Sequence, residues 1–344
     1  LKEGFKKTIK QQASEAPLFF QNVVSGLFTV EGQPTESDYV FKTIHDLLTD
    51  SSKDLIGRFH LNPLDVLSFL GRALFFRFLC DRKIVHPSEL DSVCPKAESP
   101  SDCFRNITKS VATCRWLDET FNGDLLPFSS SFVEVFSHAN KQTNGELFLH
   151  LQAIMEGWDH VGDGTFQPQL PIDWDDLDFA HIPIGVLSQV YEKFSRIWDS
   201  QQSERTSVYY TPKNIARYLV DDAFEGLTNK KEARILDPSC GAGIFLVLAF
   251  RKLVATRWET DGKRPDTRTI QSILYKQLCG CDISESALRL AALSLYITAI
   301  ELNGSPRPPK SLKFPEPLQG IVLHNNRRRE ERDHKSFVLG SLRP

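Results

Sequence analysis

The sequence predicts an α/β architecture in its second half, a parallel sheet covered by helices on both faces, preceded by a mainly α-helical N-terminal domain. Three observations predict it. From Thr211 onward, short apolar runs alternate with long helical patterns. The first of those runs leads into a tight glycine-bearing turn, PSCGAG, at 238–243. Ahead of them, residues 37–60 and the stretch after Asn62 carry helical periodicity. The expected division is a helical domain over 1–180, a lead-in helix and linker over 181–207, and an incomplete α/β domain over 208–344.

A chain of 344 residues is long enough for two domains of ordinary size. Hydrophobic residues make up 41% and charged residues 25%, a soluble globular balance. The net charge of −3 excludes a strong basic field over the whole surface. Contact with nucleic acid then needs a local patch or a part outside these residues. The richest apolar run, Val66 to Leu79, is broken by Ser68, Gly71, Arg72 and Arg77, so no membrane span is expected. No signal peptide is visible. The seven cysteines lack a framework-like spacing, which favours reduced thiols and a cytoplasmic location. Cys279-Gly-Cys281 has no second half, so no metal site is expected. The chain starts at Leu1 and its single Met is Met155, so it reads as a piece of a longer protein.

Taken in order, Asn62-Pro63-Leu64-Asp65 is a helix start, with a capping side chain, Pro at the first position and a carboxylate in the first turn. The helix after it, VLSFLGRALFFRFLCDRK, is apolar on most sides and is expected in the core. Residues 94–106 read as a loop and Phe121-Asn122-Gly123-Asp124 as a turn. Residues 161–183, rich in Gly, Pro and Asp, read as a long connector. Ile184, Leu187, Tyr191, Phe194 and Trp198 then mark an amphipathic helix, and 199–207 is polar. Thr211-Pro212 reads as an N-cap followed by proline at the first helical position. Strands are expected at 233–237, 278–283 and 320–324, and helices at 244–258 and 284–302, with Ser284 as cap and Asn303-Gly304 as stop. The charge run RRREER at 327–332 reads as a solvated loop.

The chemistry concentrates in LDPSCGAGIFL, 236–246. Gly241 and Gly243 at a strand end let the backbone turn sharply and let a ligand approach it. The helix beyond offers free amides. A dinucleotide loop would need a third glycine, where Leu246 stands. Its acidic partner would lie roughly 20 residues on, whereas Asp282 lies about forty on. Asp282, ending the next strand, is suited to accept two hydrogen bonds from a vicinal diol, and equally to be an ordinary charge at a helix N-terminus. Tyr209 and Tyr210 cap nothing; packing of a loop is their plain reading.

YYTP (209–212), DPSCGAGIFL (237–246) and CGCDISESALRLAALSLYI (279–297) together resemble the motifs of N6-adenine-specific DNA methyltransferases of the gamma type, which include the modification subunits of type I restriction systems. The order and spacing of the three carry the resemblance. It covers about 182–300, because PIGVLSQVYEKF also looks like the family's lead-in helix. The resemblance implies a Rossmann-like class I methyltransferase domain binding S-adenosyl-L-methionine (AdoMet). By carry-over Tyr209, Tyr210, Thr211 and Pro212 would line the methionine end. Asp237, Pro238, Ser239, Cys240, Gly241, Gly243 and Phe245 would form the loop under methionine and ribose. Asp282 would hold the ribose hydroxyls and Ile283 would pack on the adenine. The family's further polar contact to adenine would fall on Asn325 or Asn326, where an Asp is usual. The implied partners are double-stranded DNA and specificity or restriction subunits.

One departure matters most. The family's catalytic Asn-Pro-Pro-aromatic motif is absent: Asn62-Pro63-Leu64 lacks the second Pro and the aromatic, and Arg307-Pro308-Pro309 lacks the Asn. In the family that motif accepts the hydrogens of the adenine amino group and stacks on the flipped-out base. No catalytic residue is therefore assigned. The expectation is a piece that binds AdoMet without transferring its methyl group. Two rival readings are a methyltransferase for RNA or protein and a non-catalytic assembly module.

Overall fold

Asn62 sets the helix around which the N-terminal half is built. Its side chain accepts the backbone N–H groups of Leu64 and Asp65, and Pro63 opens the helix α2, Pro63–Asp81. In this computed structural model the described residues are Gln21, 36–121, 126–157, 159–162, 165–167, 211–304 and 313–326. Before α2 lies α1, Glu36–Ser52, which passes into a π-helical stretch, Lys53–Arg58, within the expected helix. After α2 come α3, Ile107–Thr120; α4, Phe132–Thr143; and α5, Glu146–Glu156.

As its composition requires, α2 is buried almost all round. Its Arg72 is buried yet paired, donating to Asp118 at 2.8 Å and to the carbonyl oxygens of Leu126 at 3.1 Å and Cys114 at 3.3 Å. The 94–106 loop holds one short 3-10 turn, Ser101–Phe104. The expected connector 161–183 needs correction at its start. Strands β1, Asp159–Gly162, and β2, Thr165–Gln167, pair antiparallel. The Asp163-Gly164 pair between them is a hairpin signal that the polar composition of the stretch concealed.

The helix α6 runs Lys213–Glu225. It starts one residue later than expected: Pro212 is the N-cap in extended conformation, its carbonyl accepts the Ala216 N–H, and no side chain caps the helix. Then follow β3, Ile235–Asp237; α7, Ile244–Asp261; α8, Thr267–Gln277; β4, Leu278–Asp282; α9, Glu285–Leu302; and β5, Leu323–Asn325. The reading above missed α8, although Asp266 caps it by accepting the Thr269 N–H and Ile270, Ile273 and Leu274 form its buried side. The last strand sits later than 320–324, because Gly320 at φ +86° and the next two residues make a turn.

Strands β3, β4 and β5 form a parallel sheet in that order. Asp237 lies opposite Gly280, Gly280 opposite Leu323, and Asp282 opposite Asn325. Asp237, Asp282 and Asn325 thus share one face at the carboxyl ends of the strands. Two successive crossovers step the same way across the sheet, and α7 and α9 pack on β4 and on each other. The expected cover on both faces is therefore not met among the described residues, and Leu236 on the opposite face is exposed. One continuous buried core runs from the N-terminal helices through α9 to β5.

Candidate functional site

The site is the loop between β3 and α7, and α9 is its platform. Gly241 at φ +53° and Gly243 at φ +88° adopt left-handed backbone that other residues avoid. A Cβ on Gly243 would stand 3.1 Å from Ala291 Cβ on α9, so only glycine lets the loop press this closely. A Cβ on Gly241 would meet nothing within 4 Å, which leaves open space above the backbone there. The Cys240 N–H donates to the Cys281 carbonyl at 2.9 Å and stitches the loop to β4.

Asp282 connects the loop to the helix. One oxygen accepts the Gly241 N–H at 2.9 Å and the other accepts the Ser284 N–H at 2.8 Å. It thus serves a helix start, one of its two expected roles, and it also shapes the loop, which neither reading foresaw. Each oxygen retains a lone pair for a further donor. Asp237 turns back on its own chain, accepting the Ser239 N–H at 3.1 Å with Oδ1. Its Oδ2 is buried and has no partner among the described residues. Burial raises the Asp237 carboxyl above its ordinary 3.8, the Asp282 charge raises it further, and the Ser239 N–H opposes both.

Around this pair, Pro238, Ser239 and Ile283 are exposed, while Asn325 and Asn326 are half-buried. Asn325 is placed beside Asp282 by strand register. The Cys240 side chain is buried, its sulfur 3.1 Å from where a Gly280 Cβ would be, so Cys240 faces the sheet and offers the site only its backbone. Phe245 is half-buried and packs with Ile244 and Leu248 against Ala216 of α6. That contact ties the loop to the helix that begins after half-buried Thr211 and exposed Pro212. Tyr209 and Tyr210 lie outside the described residues, as do the 184–198 helix, the Arg307-Pro308-Pro309 stretch and the 327–332 charge run.

Sequence reasoning did not find a second polar set. The Ser51 hydroxyl lies 3.1 Å from His150 Nδ1, and His150 Nε2 lies 3.9 Å from Asp54. Ser51 and His150 are 1% and 0% exposed, so no substrate reaches them and the set is structural. All seven cysteines are free, and burial pushes Cys80 to about 12 and Cys114 to about 11, far from nucleophilic thiolates. Among the described residues no His, Cys, Asp and Glu cluster suits a metal ion, and no helix is long and apolar enough to cross a membrane.

Residues 183–316 match the family described as N-6 DNA Methylase. The chain is 25% identical over 198 residues to the type I restriction enzyme EcoEI methylase subunit of Escherichia coli, covering 57% of this chain and 37% of the relative. It is 28% identical over 145 residues to the type I restriction enzyme MjaIX methylase subunit of Methanocaldococcus jannaschii, covering 39% and 23%. It is 24% identical over 127 residues to the adenine-specific methyltransferase PglX of Streptomyces coelicolor, covering 36% and 10%. The chain thus spans well under half the length of each of these relatives. The segment that matches the N-6 DNA Methylase family contains α6, the β3–α7 loop, Asp282 and the whole of α9.

Proposed function

We propose that this chain holds the cofactor-binding part of an AdoMet-dependent DNA methyltransferase that acts on the N6 amino group of adenine, in restriction-modification or phage defence. The observation that carries the proposal is the acidic cradle: Asp282 closed onto the Gly241 N–H beside Asp237, whose buried Oδ2 has no partner among the described residues. AdoMet is a chemical match for it, with a sulfonium and an ammonium charge for the carboxylates and two vicinal ribose hydroxyls for Asp282. The open space above Gly241 admits a ligand against the backbone. Exposed Ile283 offers the adenine ring an apolar surface, and Asn325 or Asn326 an acceptor for its amino group. By the resemblance to the family, Tyr209 to Pro212 would line the methionine end. When bound, AdoMet supplies the methyl group.

The residues that activate a target adenine are not among these 344, which contain no Asn-Pro-Pro-aromatic sequence. The amino nitrogen of adenine is a poor nucleophile because its lone pair is delocalised into the ring. Its activation needs acceptors for its hydrogens and a pocket for the flipped base. This chain is therefore expected to bind AdoMet without methylating, and the complete protein to methylate DNA together with specificity or restriction subunits. The relatives' names, methylase subunits and an adenine-specific methyltransferase, support this reading.

The test is a calorimetric titration of AdoMet into the chain, paired with nucleoside analysis of DNA treated with the complete protein. Saturable binding and appearance of N6-methyladenine are the expected results. A folded complete protein that binds no AdoMet, or that labels only RNA or protein, would overturn the proposal.

A further inference from the structure

The platform helix α9 and Asp282 ahead of it touch the loop at three successive residues. Asp282, just ahead of it, accepts the Gly241 N–H at 2.9 Å. Ser294 donates its hydroxyl to the Ala242 carbonyl at 3.3 Å. Ala291 packs on Gly243 so closely that an added Cβ would stand 3.1 Å from its own. A shift of α9 therefore moves the whole loop, because close-packed contacts transmit displacement.

Besides its contacts with α7 and the sheet, α9 is held by the N-terminal helical region. Arg289 is buried and donates to the Pro127 carbonyl at 2.7 Å, with longer contacts of 3.4 Å to the Leu64 carbonyl and the Ser68 hydroxyl. It also donates to Glu285 in the first turn of α9 at 2.9 Å. The strip 126–129 that it grips is also held by α2, whose Ser68 hydroxyl donates to the same Pro127 carbonyl at 2.8 Å. Arg72 of α2 takes the Leu126 carbonyl, and Asp65 of α2 accepts the Ser129 N–H at 2.8 Å and its hydroxyl at 2.6 Å. Gly71 of α2 closes the joint, with Leu126 and Leu293 packed where its Cβ would be.

We infer that Arg289 is a positioning residue through which the N-terminal helical region fixes the ligand loop by way of α9. The helical region is then a working part of the binding site, although none of its described residues belongs to the loop. The consequence for AdoMet rests on the function proposed above; the mechanical coupling does not.

The experiment is residue-resolved amide hydrogen exchange on the whole chain, comparing Arg289→Met, Arg289→Lys and Asp65→Asn with the parent. Asp65→Asn loosens the clamp from α2 without altering α9. Arg289→Met and Asp65→Asn should each speed exchange of the Gly241 amide at least tenfold more than exchange of the Phe75 amide in the centre of α2. Arg289→Lys, which keeps one donor, should recover part of the protection. AdoMet affinity should fall at least threefold in Arg289→Met. A Gly241 amide whose protection falls only in step with Phe75 would mark Arg289 as purely structural and overturn the inference. So would Gly241 protection left unchanged by Asp65→Asn. If no variant or parent binds AdoMet, the function proposal fails, while the exchange comparison still decides the coupling.

Discussion

One carboxylate oxygen of Asp282 accepts the backbone N–H of Gly241 at 2.9 Å, joining the end of β4 to the β3–α7 loop 41 residues away in sequence. Its other oxygen holds the Ser284 N–H at the start of α9. Asp282→Ala strands two partly buried donors, which costs about 1–3 kcal/mol for each donor left without a partner. It also removes the acceptor for the ribose hydroxyls. AdoMet affinity should fall tenfold or more, about 1.4 kcal/mol. Urea unfolding and calorimetric titration of the same variant check the two effects, and undiminished affinity would take Asp282 out of the ligand site.

Asp237 makes a pH-dependent prediction. Burial, helped by the Asp282 charge, raises its carboxyl above the ordinary 3.8 in the folded state. A carboxyl raised in this way holds its proton more tightly when folded. Its contribution to stability is full below the unfolded value and is lost as pH rises through the folded one. Asp237→Asn, neutral at all pH values, should therefore be more stable than the parent at pH 7 in the absence of ligand. That advantage should shrink as the pH falls through the raised folded value and be gone below the ordinary unfolded one. Melting temperatures across pH check the sign. The same variant should bind the cationic AdoMet more weakly.

The two loop glycines should behave differently. Gly243→Ala imposes left-handed strain and drives a methyl group to 3.1 Å from Ala291, so a loss of about 2–4 kcal/mol is expected. Gly241→Ala meets open space and bears only the backbone strain, about 1–2 kcal/mol. Its methyl group projects into the space proposed for the ligand, so affinity should suffer more than stability. Denaturant midpoints and titration together separate the two outcomes.

Arg251 of α7 and Glu301 of α9 form an ion pair that is 4% and 6% exposed. Glu301→Ala removes the carboxylate paired with a buried guanidinium and should cost about 3–5 kcal/mol. Replacing both residues with apolar ones of similar volume should cost far less. A double-mutant cycle in urea checks this.

Much of the site was legible in the sequence for a local reason. Glycines at a strand end, a capping serine and an apolar run declare their backbone within a few residues, so the Asp237–Gly243 turn, the Ser284 cap and the length of α9 could be read directly. The misreadings lay where local signals are weak or compete. The hairpin at 159–167 was hidden in polar composition, α8 lay in a stretch of mixed polarity, and Pro212 took the cap that Thr211 was suited to take. Phe245 and Asp282 could be named as candidates but not joined, because strand register brings Asp282 beside Asn325 and only loop closure brings it to Gly241. Nothing in the spacing of Asp65, Arg72, Pro127 and Arg289 announces that they meet. By itself the sequence determined the parallel strand–helix alternation, and it singled out the candidate loop residues and the resemblance to a family. The tertiary structure alone decided that α7 and α9 lie on one face of the sheet among the described residues, that Asp282 shapes the loop as well as the start of α9, and that the N-terminal helices grip α9. Those are contacts between distant segments, set by packing and by the need of buried carbonyls and guanidinium groups for partners.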